Sequence, residues 1–124
     1  MQTETIFKKQ DIVSIYTSKE AVEDGLLFDL DIINKNPKFF VKYITTNLMS
    51  KDYFLEVPPN ETAEYPNIPN LKDLINQAAE IFQNKLSEDT FASGNIELPS
   101  GEQQQIFLAI NETGRYTLML PEDY

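Results

Sequence analysis

The strongest pattern along the chain lies between Leu71 and Leu86. Leu71, Leu74, Ile75, Ala78, Ile81, Phe82 and Leu86 recur at i, i+3, i+4 and i+7 spacing, drawing one continuous apolar stripe on a helix. Asn70 stands where an N-cap belongs, with Asp73 three residues on as a variant capping box. Such a stripe is built to pack, and a sheet is the expected partner; a groove on another protein is the alternative. The last third of the chain changes period. Thr90–Leu98, Gln104–Ile110 and Arg115–Leu120 read as strands, separated by Pro99-Ser100-Gly101-Glu102 and Asn111-Glu112-Thr113-Gly114 as turns. Ile106, Leu108 and Ile110 share one face of their strand, as do Tyr116, Leu118 and Leu120 of theirs. The opposite faces are mixed, with Gln105, Phe107 and Ala109 on one and Arg115, Thr117 and Met119 on the other. The pattern predicts an α+β fold: an antiparallel sheet, made of a C-terminal three-strand meander plus short N-terminal strands, packed against the long amphipathic helix and one or two shorter helices.

The N-terminal half is built from shorter pieces. Residues 1–10 carry no periodicity and are expected to fray, and Asp11–Tyr16 (DIVSIY) reads as a short strand. Thr17-Ser18-Lys19-Glu20 forms a capping box that opens a helix running to about Asp24, which Gly25 closes. Leu26–Leu30 follows as a strand, residues 31–38 as a turn around Asn36-Pro37, and Phe39–Tyr43 as another extended piece. Thr45 or Thr46 is placed to cap a helix reaching about Leu55. Residues 57–70 hold Pro58, Pro59, Pro66 and Pro69 and must be a loop, long enough to be either an irregular crossover or a functional segment. The organisation expected is one domain over 11–124.

Composition narrows the chemistry. The chain of 124 residues is 41% hydrophobic and 11% aromatic, which suits a packed core, and no apolar run is long enough to span a membrane. MQTETIFKKQ lacks the apolar centre of a signal peptide, so the expected compartment is the cytosol of the host cell. With no His and no Cys, the usual zinc ligands, disulfides, and Ser–His or Cys–His catalysis are excluded within this chain. The four glycines are scattered, so there is no phosphate-cradling loop. No catalytic residue, metal or cofactor is expected.

The net charge of −10 is unevenly placed. Residues 1–51 balance, whereas in 52–124 only Lys72, Lys85 and Arg115 oppose the acids, so this half carries the whole excess. It repels nucleic acid and anionic membranes and attracts basic surfaces. Between Asp31 and Asp52, Lys35, Lys38, Lys42 and Lys51 form the chain's one basic island.

Five acids fall between Glu20 and Asp31: Glu20, Glu23, Asp24, Asp29 and Asp31. A calcium loop needs alternating oxygen ligands before its glycine, and the segment around Gly25 lacks them. Asp29 and Asp31 should point to one side of an extended strand, which allows a weak magnesium site or a carboxylate pair; the plain alternative is the polar side of a half-buried strand. Glu23 and Asp24 sit at a helix C-terminus, where acids oppose the macrodipole.

Ile15-Tyr16-Thr17 followed by Ala21-Val22-Glu23-Asp24-Gly25-Leu26-Leu27-Phe28-Asp29 resembles the opening of an uncharacterised family of small phage- and plasmid-encoded bacterial proteins. Val41-Lys42-Tyr43-Ile44-Thr45 and the closing Leu120-Pro121-Glu122-Asp123 sit in the corresponding later places, while the Trp usual in that family is missing here. The marker residues are Thr17, Ala21, Glu23, Asp24, Gly25 and Asp29. The resemblance implies a mobile element in a bacterial host and carries no known activity.

These features together predict a non-enzymatic accessory protein that binds a basic host protein, for example inhibiting a defence nuclease in the manner of an anti-CRISPR. Glu61, Glu64, Glu88, Asp89, Glu97 and Glu102 are the candidate acidic contact surface. Two alternatives stand beside it. One is a small divalent-metal-dependent hydrolase or ligand-binding domain using Glu23, Asp24, Asp29 and Asp31. The other is a homodimer that pairs through Arg115–Leu120 as an edge strand.

Overall fold

The computed structural model describes residues 17–61 and 64–124. The segment 1–10 and the strand expected over Asp11–Tyr16 lie outside the described residues.

The first helix, α1 (Ser18–Glu23), forms as its capping box dictates. The Thr17 hydroxyl accepts the Glu20 N–H at 3.2 Å, and the Glu20 carboxylate accepts the Thr17 N–H at 2.9 Å. Gly25 takes φ +79° and turns the chain out of the helix. Strand β1 (Leu27–Asp29) is shorter than expected. The Asp29 carboxylate accepts the Asp31 N–H at 2.9 Å, which winds Leu30–Ile32 into a 3₁₀ turn and ends the strand.

β2 (Val41–Thr45) starts two residues later than the extended piece expected from Phe39. Thr45 caps α2 (Thr46–Met49), which stops after one turn instead of reaching Leu55. The reason is tertiary. Asp52 adopts φ +74°, which swings Tyr53 into the core. The Leu55 N–H then bonds the Tyr65 carbonyl, and the Asn67 N–H bonds the Tyr53 carbonyl.

The long helix α3 (Ile68–Asn84) begins three residues earlier than the pattern indicated. Asn67, rather than Asn70, is its cap, accepting the Asn70 N–H at 3.2 Å, and Pro69 is accommodated in the first turn, where its missing N–H is not needed. Asp73 completes no capping box; its carboxylate accepts a hydrogen bond from Gln77 instead. Leu71, Leu74, Ile75 and Ala78 are buried, and removing each of the three larger side chains from water contributes about 1.5–3 kcal/mol. From Leu71 to Ala78 the stripe is therefore core. Leu86 lies past the helix end and is 68% exposed.

β3 (Phe91–Glu97), β4 (Gln103–Ile110) and β5 (Tyr116–Met119) form the expected antiparallel meander, followed by a 3₁₀ turn over Pro121–Asp123. The five strands run in the order β1-β2-β5-β4-β3. All neighbours are antiparallel except β2 and β5, which are parallel. The long excursion through α2, α3, β3 and β4 supplies the crossover that a parallel pair requires. Val41, Ile44, Ile96, Ile106, Leu108 and Leu118 are buried beneath α3. Gly94 lets the helix close on β3, since a Cβ there would meet Ile81 at 2.8 Å.

This order corrects the edge-strand pairing expected for a homodimer. β5 has β2 on one side and β4 on the other, so Arg115–Leu120 is central and has no free edge. Among the described residues, the edges are β1 and β3. Among the described residues, no helix is long and apolar enough to cross a membrane.

Candidate functional site

The acids of the opening stretch are brought into contacts that hold the fold. Lys42 Nζ lies 3.1 Å from Asp29 Oδ2 and 2.6 Å from Asp31 Oδ2. Arg115 reaches the same place from β5: Nη2 is 3.2 Å from Asp31 Oδ1, and Nε and Nη2 donate to the Phe39 and Val41 carbonyls, each at 2.8 Å. Asp29 and Asp31 thus converge, but around two cations. The Lys42 hydrogen bond, opposed by partial burial and aided by Arg115, holds the Asp31 carboxyl below its ordinary range. Burial works against the Lys42 charge, yet the hydrogen bonds to Asp31 and Asp29 outweigh it and raise its pKa. Glu23 and Asp24 are exposed at the end of α1. Among the described residues, no group of three or more Asp or Glu side chains is placed to hold a metal ion.

The remaining marker residues also carry structure: Thr17 caps α1, Ala21 is buried and Gly25 turns. Asp123, in the closing Leu120-Pro121-Glu122-Asp123, accepts from the Thr45 hydroxyl at 2.7 Å and from Asn47 Nδ2 at 2.8 Å. Because the Thr45 oxygen already accepts the Leu48 N–H, its proton is directed to Asp123. These ties line an open cleft of about 380 Å³ between α1, β1 and the C-terminal turn.

Of the six acids proposed as a contact surface, four lie at the β3 edge of the sheet and Glu64 lies beside β1 at the other. Glu61 and Glu64 lie on the loop before α3, and Glu64 borders a cleft with Phe28 of β1 and Phe54. Glu88 and Asp89 precede β3, whereas Glu97 ends it and Glu102 lies in the turn to β4. Opposite edges of a five-stranded sheet are about 19 Å apart, at about 4.8 Å per step. The four at β3 are accordingly separated from Glu64 beside β1. Of these four, Asp89 has a fixed local role: its carboxylate accepts the Leu86 N–H, and its carbonyl accepts the Tyr116 hydroxyl at 2.6 Å.

The β3 edge has a defined hydrogen-bonding polarity. Ile110 N–H bonds the Thr90 carbonyl and Leu98 N–H bonds the Glu102 carbonyl, so in this register the even-numbered residues pair with β4. Phe91, Ser93, Asn95 and Glu97 present their amides outward. Glu97 is satisfied by α3: its N–H donates to Gln77 Oε1 at 2.8 Å, and Gln77 Nε2 donates to its carbonyl at 3.0 Å. Gln77 Nε2 also donates to Asp73 at 2.9 Å, placing a further acid at that end. No hydrogen bond to another described residue engages the outward amides of Phe91, Ser93 and Asn95. Beside them, between α3 and β3, runs a groove of about 390 Å³ lined by Ile81, Asn84, Lys85, Ala92 and Gly94 among others. Its cation, Lys85, is stacked over the Phe82 and Tyr116 rings at 4.8 and 5.4 Å.

Sequence reasoning placed Glu88, Asp89, Glu97 and Glu102 on the acidic half, and missed Gln77 and the Lys42–Arg115 cluster. Gln77 lies off the apolar stripe of α3 and gives no signal of its own. Lys42 and Arg115 are distant in sequence from the acids they meet.

No family model matches this chain, and no curated protein or solved structure matches it. The likeness to small phage and plasmid proteins rests on the residues quoted above alone.

Proposed function

We propose that this chain is a non-enzymatic acidic binding module that engages a basic surface of a partner protein through its β3 edge. The observation that carries this is the placement of acids at both ends of one seven-residue edge strand: Glu88 and Asp89 at its start, Asp73, Glu97 and Glu102 at its finish. The ends lie about 20 Å apart, at about 3.3 Å per residue. An array of this sign steers cationic partners by long-range attraction and makes the encounter salt-sensitive. In a mobile-element setting the partner is a host nucleic-acid-binding effector such as a defence nuclease, whose basic channel these acids would occupy.

Fluorescence anisotropy with a labelled lysine decamer tests this reading, at about 50 and about 200 mM salt. Binding should weaken with salt and fall at least about fivefold in Glu88→Lys/Glu97→Lys, while Glu61→Lys/Glu64→Lys, with the same charge change at the other edge, stays within about twofold. Equal losses in the two variants would reduce the effect to net charge, and no binding at low salt would remove the reading altogether.

A further inference from the structure

We propose that the β3 edge takes its partner by strand addition: an extended segment of the partner, with Lys or Arg at each end of about five residues, pairs with the backbone of Phe91, Ser93 and Asn95. This deepens the acidic-module reading and rests on it.

Backbone geometry defines the occupant. The three outward amides alternate with residues bonded to β4, which is the pattern a further strand completes. An added strand turns alternate side chains toward the helix side, where the groove between α3 and β3 receives them. Ala92 and Gly94 of β3 line that groove together with Ile81, Asn84 and Lys85. At the other end, the Gln77 carboxamide already occupies the N–H and carbonyl of Glu97. It stops the added strand after Asn95 and so limits its length and register.

Charge selects between occupants. The acids at an incoming strand's two ends are Glu88 and Asp89 on one side and Asp73, Glu97 and Glu102 on the other, while Lys85 in the groove lies over the Phe82 and Tyr116 rings. Lysines or arginines at both ends of the segment satisfy them. A second copy of this chain, pairing β3 with β3, would instead bring acids against acids, which disfavours it. The β1 edge offers no equivalent, being three residues long and ended by the turn at Leu30–Ile32.

The test uses three peptides with the core Thr-Val-Thr-Val-Thr: one with Lys at both ends, one with Glu at both ends, and a Lys-ended form N-methylated on alternate amides. Each is titrated into the whole chain and into Ser93→Pro. Proline is tolerated at Ser93 because that amide faces away from β4, and it removes one of the donors an added strand needs. Expected are preference for Lys over Glu ends, amide shifts centred on Phe91, Ser93 and Asn95, and losses of about tenfold on N-methylation and in Ser93→Pro. If Lys ends are preferred but N-methylation and Ser93→Pro each leave affinity within about twofold, strand addition is overturned while the acidic-module reading stands. Equal binding of Lys- and Glu-ended peptides, or none by either, overturns both. A dimer seen by light scattering and abolished in Ser93→Pro would replace the partner segment by a second copy. The N-methylated peptide keeps the test decisive even if Ser93→Pro fails to fold.

Discussion

The side-chain amide of Gln77 bonds both the N–H and the carbonyl of Glu97, at 2.8 and 3.0 Å, reaching from α3 to the outer edge of β3. One residue of the helix thereby stands in for one residue of a neighbouring strand. It closes the Glu97 end of an edge whose amides at Phe91, Ser93 and Asn95 bond no other described residue, one of the ways sheets protect their borders.

Replacing this amide has a calculable effect. Gln77→Ala removes three hydrogen bonds, two to the Glu97 backbone and one to Asp73, and should lower stability by about 1–2 kcal/mol, measured by urea denaturation. Gln77→Glu should cost more. A carboxylate cannot donate to the Glu97 carbonyl, and it would face Asp73, whose bond from Gln77 is 2.9 Å. A Gln77→Glu variant as stable as the parent would show that the amide bridge contributes nothing.

Arg115 joins β5 to the β1–β2 region through the Phe39 and Val41 carbonyls and Asp31. Its side chain is 11% exposed. Arg115→Ala leaves those carbonyls and Asp31 without this partner and should cost about 2–4 kcal/mol in the same denaturation assay. Arg115→Lys should recover only part of that, because an ammonium lacks the planar fork that serves several acceptors.

Stability should depend on pH at both extremes, through the Asp31–Lys42 cluster and through Glu112. Asp31 has its folded pKa below the ordinary 3.8, so its contribution is present above that value and is lost as pH falls through the lower folded one. Glu112 behaves alike relative to 4.5: burial opposes its charge, but hydrogen bonds from its own backbone and from Ser18 prevail. Lys42 is raised above 10.5, so its contribution is present below 10.5 and is lost as pH climbs past the folded value. Asp31→Asn should be less stable than the parent at neutral pH and show a shallower loss in the acid range. Denaturation midpoints recorded from pH 2 to 7 check this; parallel curves for the two proteins would contradict it.

Tyr53 is 1% exposed, and its hydroxyl finds no hydrogen-bond partner among the described residues. Burial, with smaller contributions from Asp73 and Asp52, pushes its pKa up to about 12. Tyr53→Phe keeps the ring and removes the unpaired group, so it should be neutral or stabilising by about 1 kcal/mol in thermal denaturation. A loss above about 1 kcal/mol would mean that the hydroxyl has a partner.

Local signals in the sequence were legible where the local chemistry was self-sufficient. The Thr17–Glu20 capping box, the Gly25 turn, the apolar stripe from Leu71 to Ala78 and the C-terminal meander each follow from residues close in sequence. Where distant residues decide, local pattern is not enough. The helix from Thr46 stops at Met49 because Tyr53 enters the core, and β5 becomes central because a crossover returns it beside β2. The Asp29–Asp31 pair looked like a candidate metal site because nothing nearby in sequence announced Lys42 and Arg115 as its partners. The acidity of the second half was evident, but its division between the two edges depends on strand order, which composition does not contain.

Hydrogen–deuterium exchange of the chain with and without the Lys-ended peptide tests the central claim most directly. Binding at the β3 edge predicts slowed exchange of the Phe91, Ser93 and Asn95 amides, with Glu97 little changed because Gln77 already holds it. Protection that appears elsewhere, or protection of β3 that the Glu-ended peptide produces equally well, would contradict it.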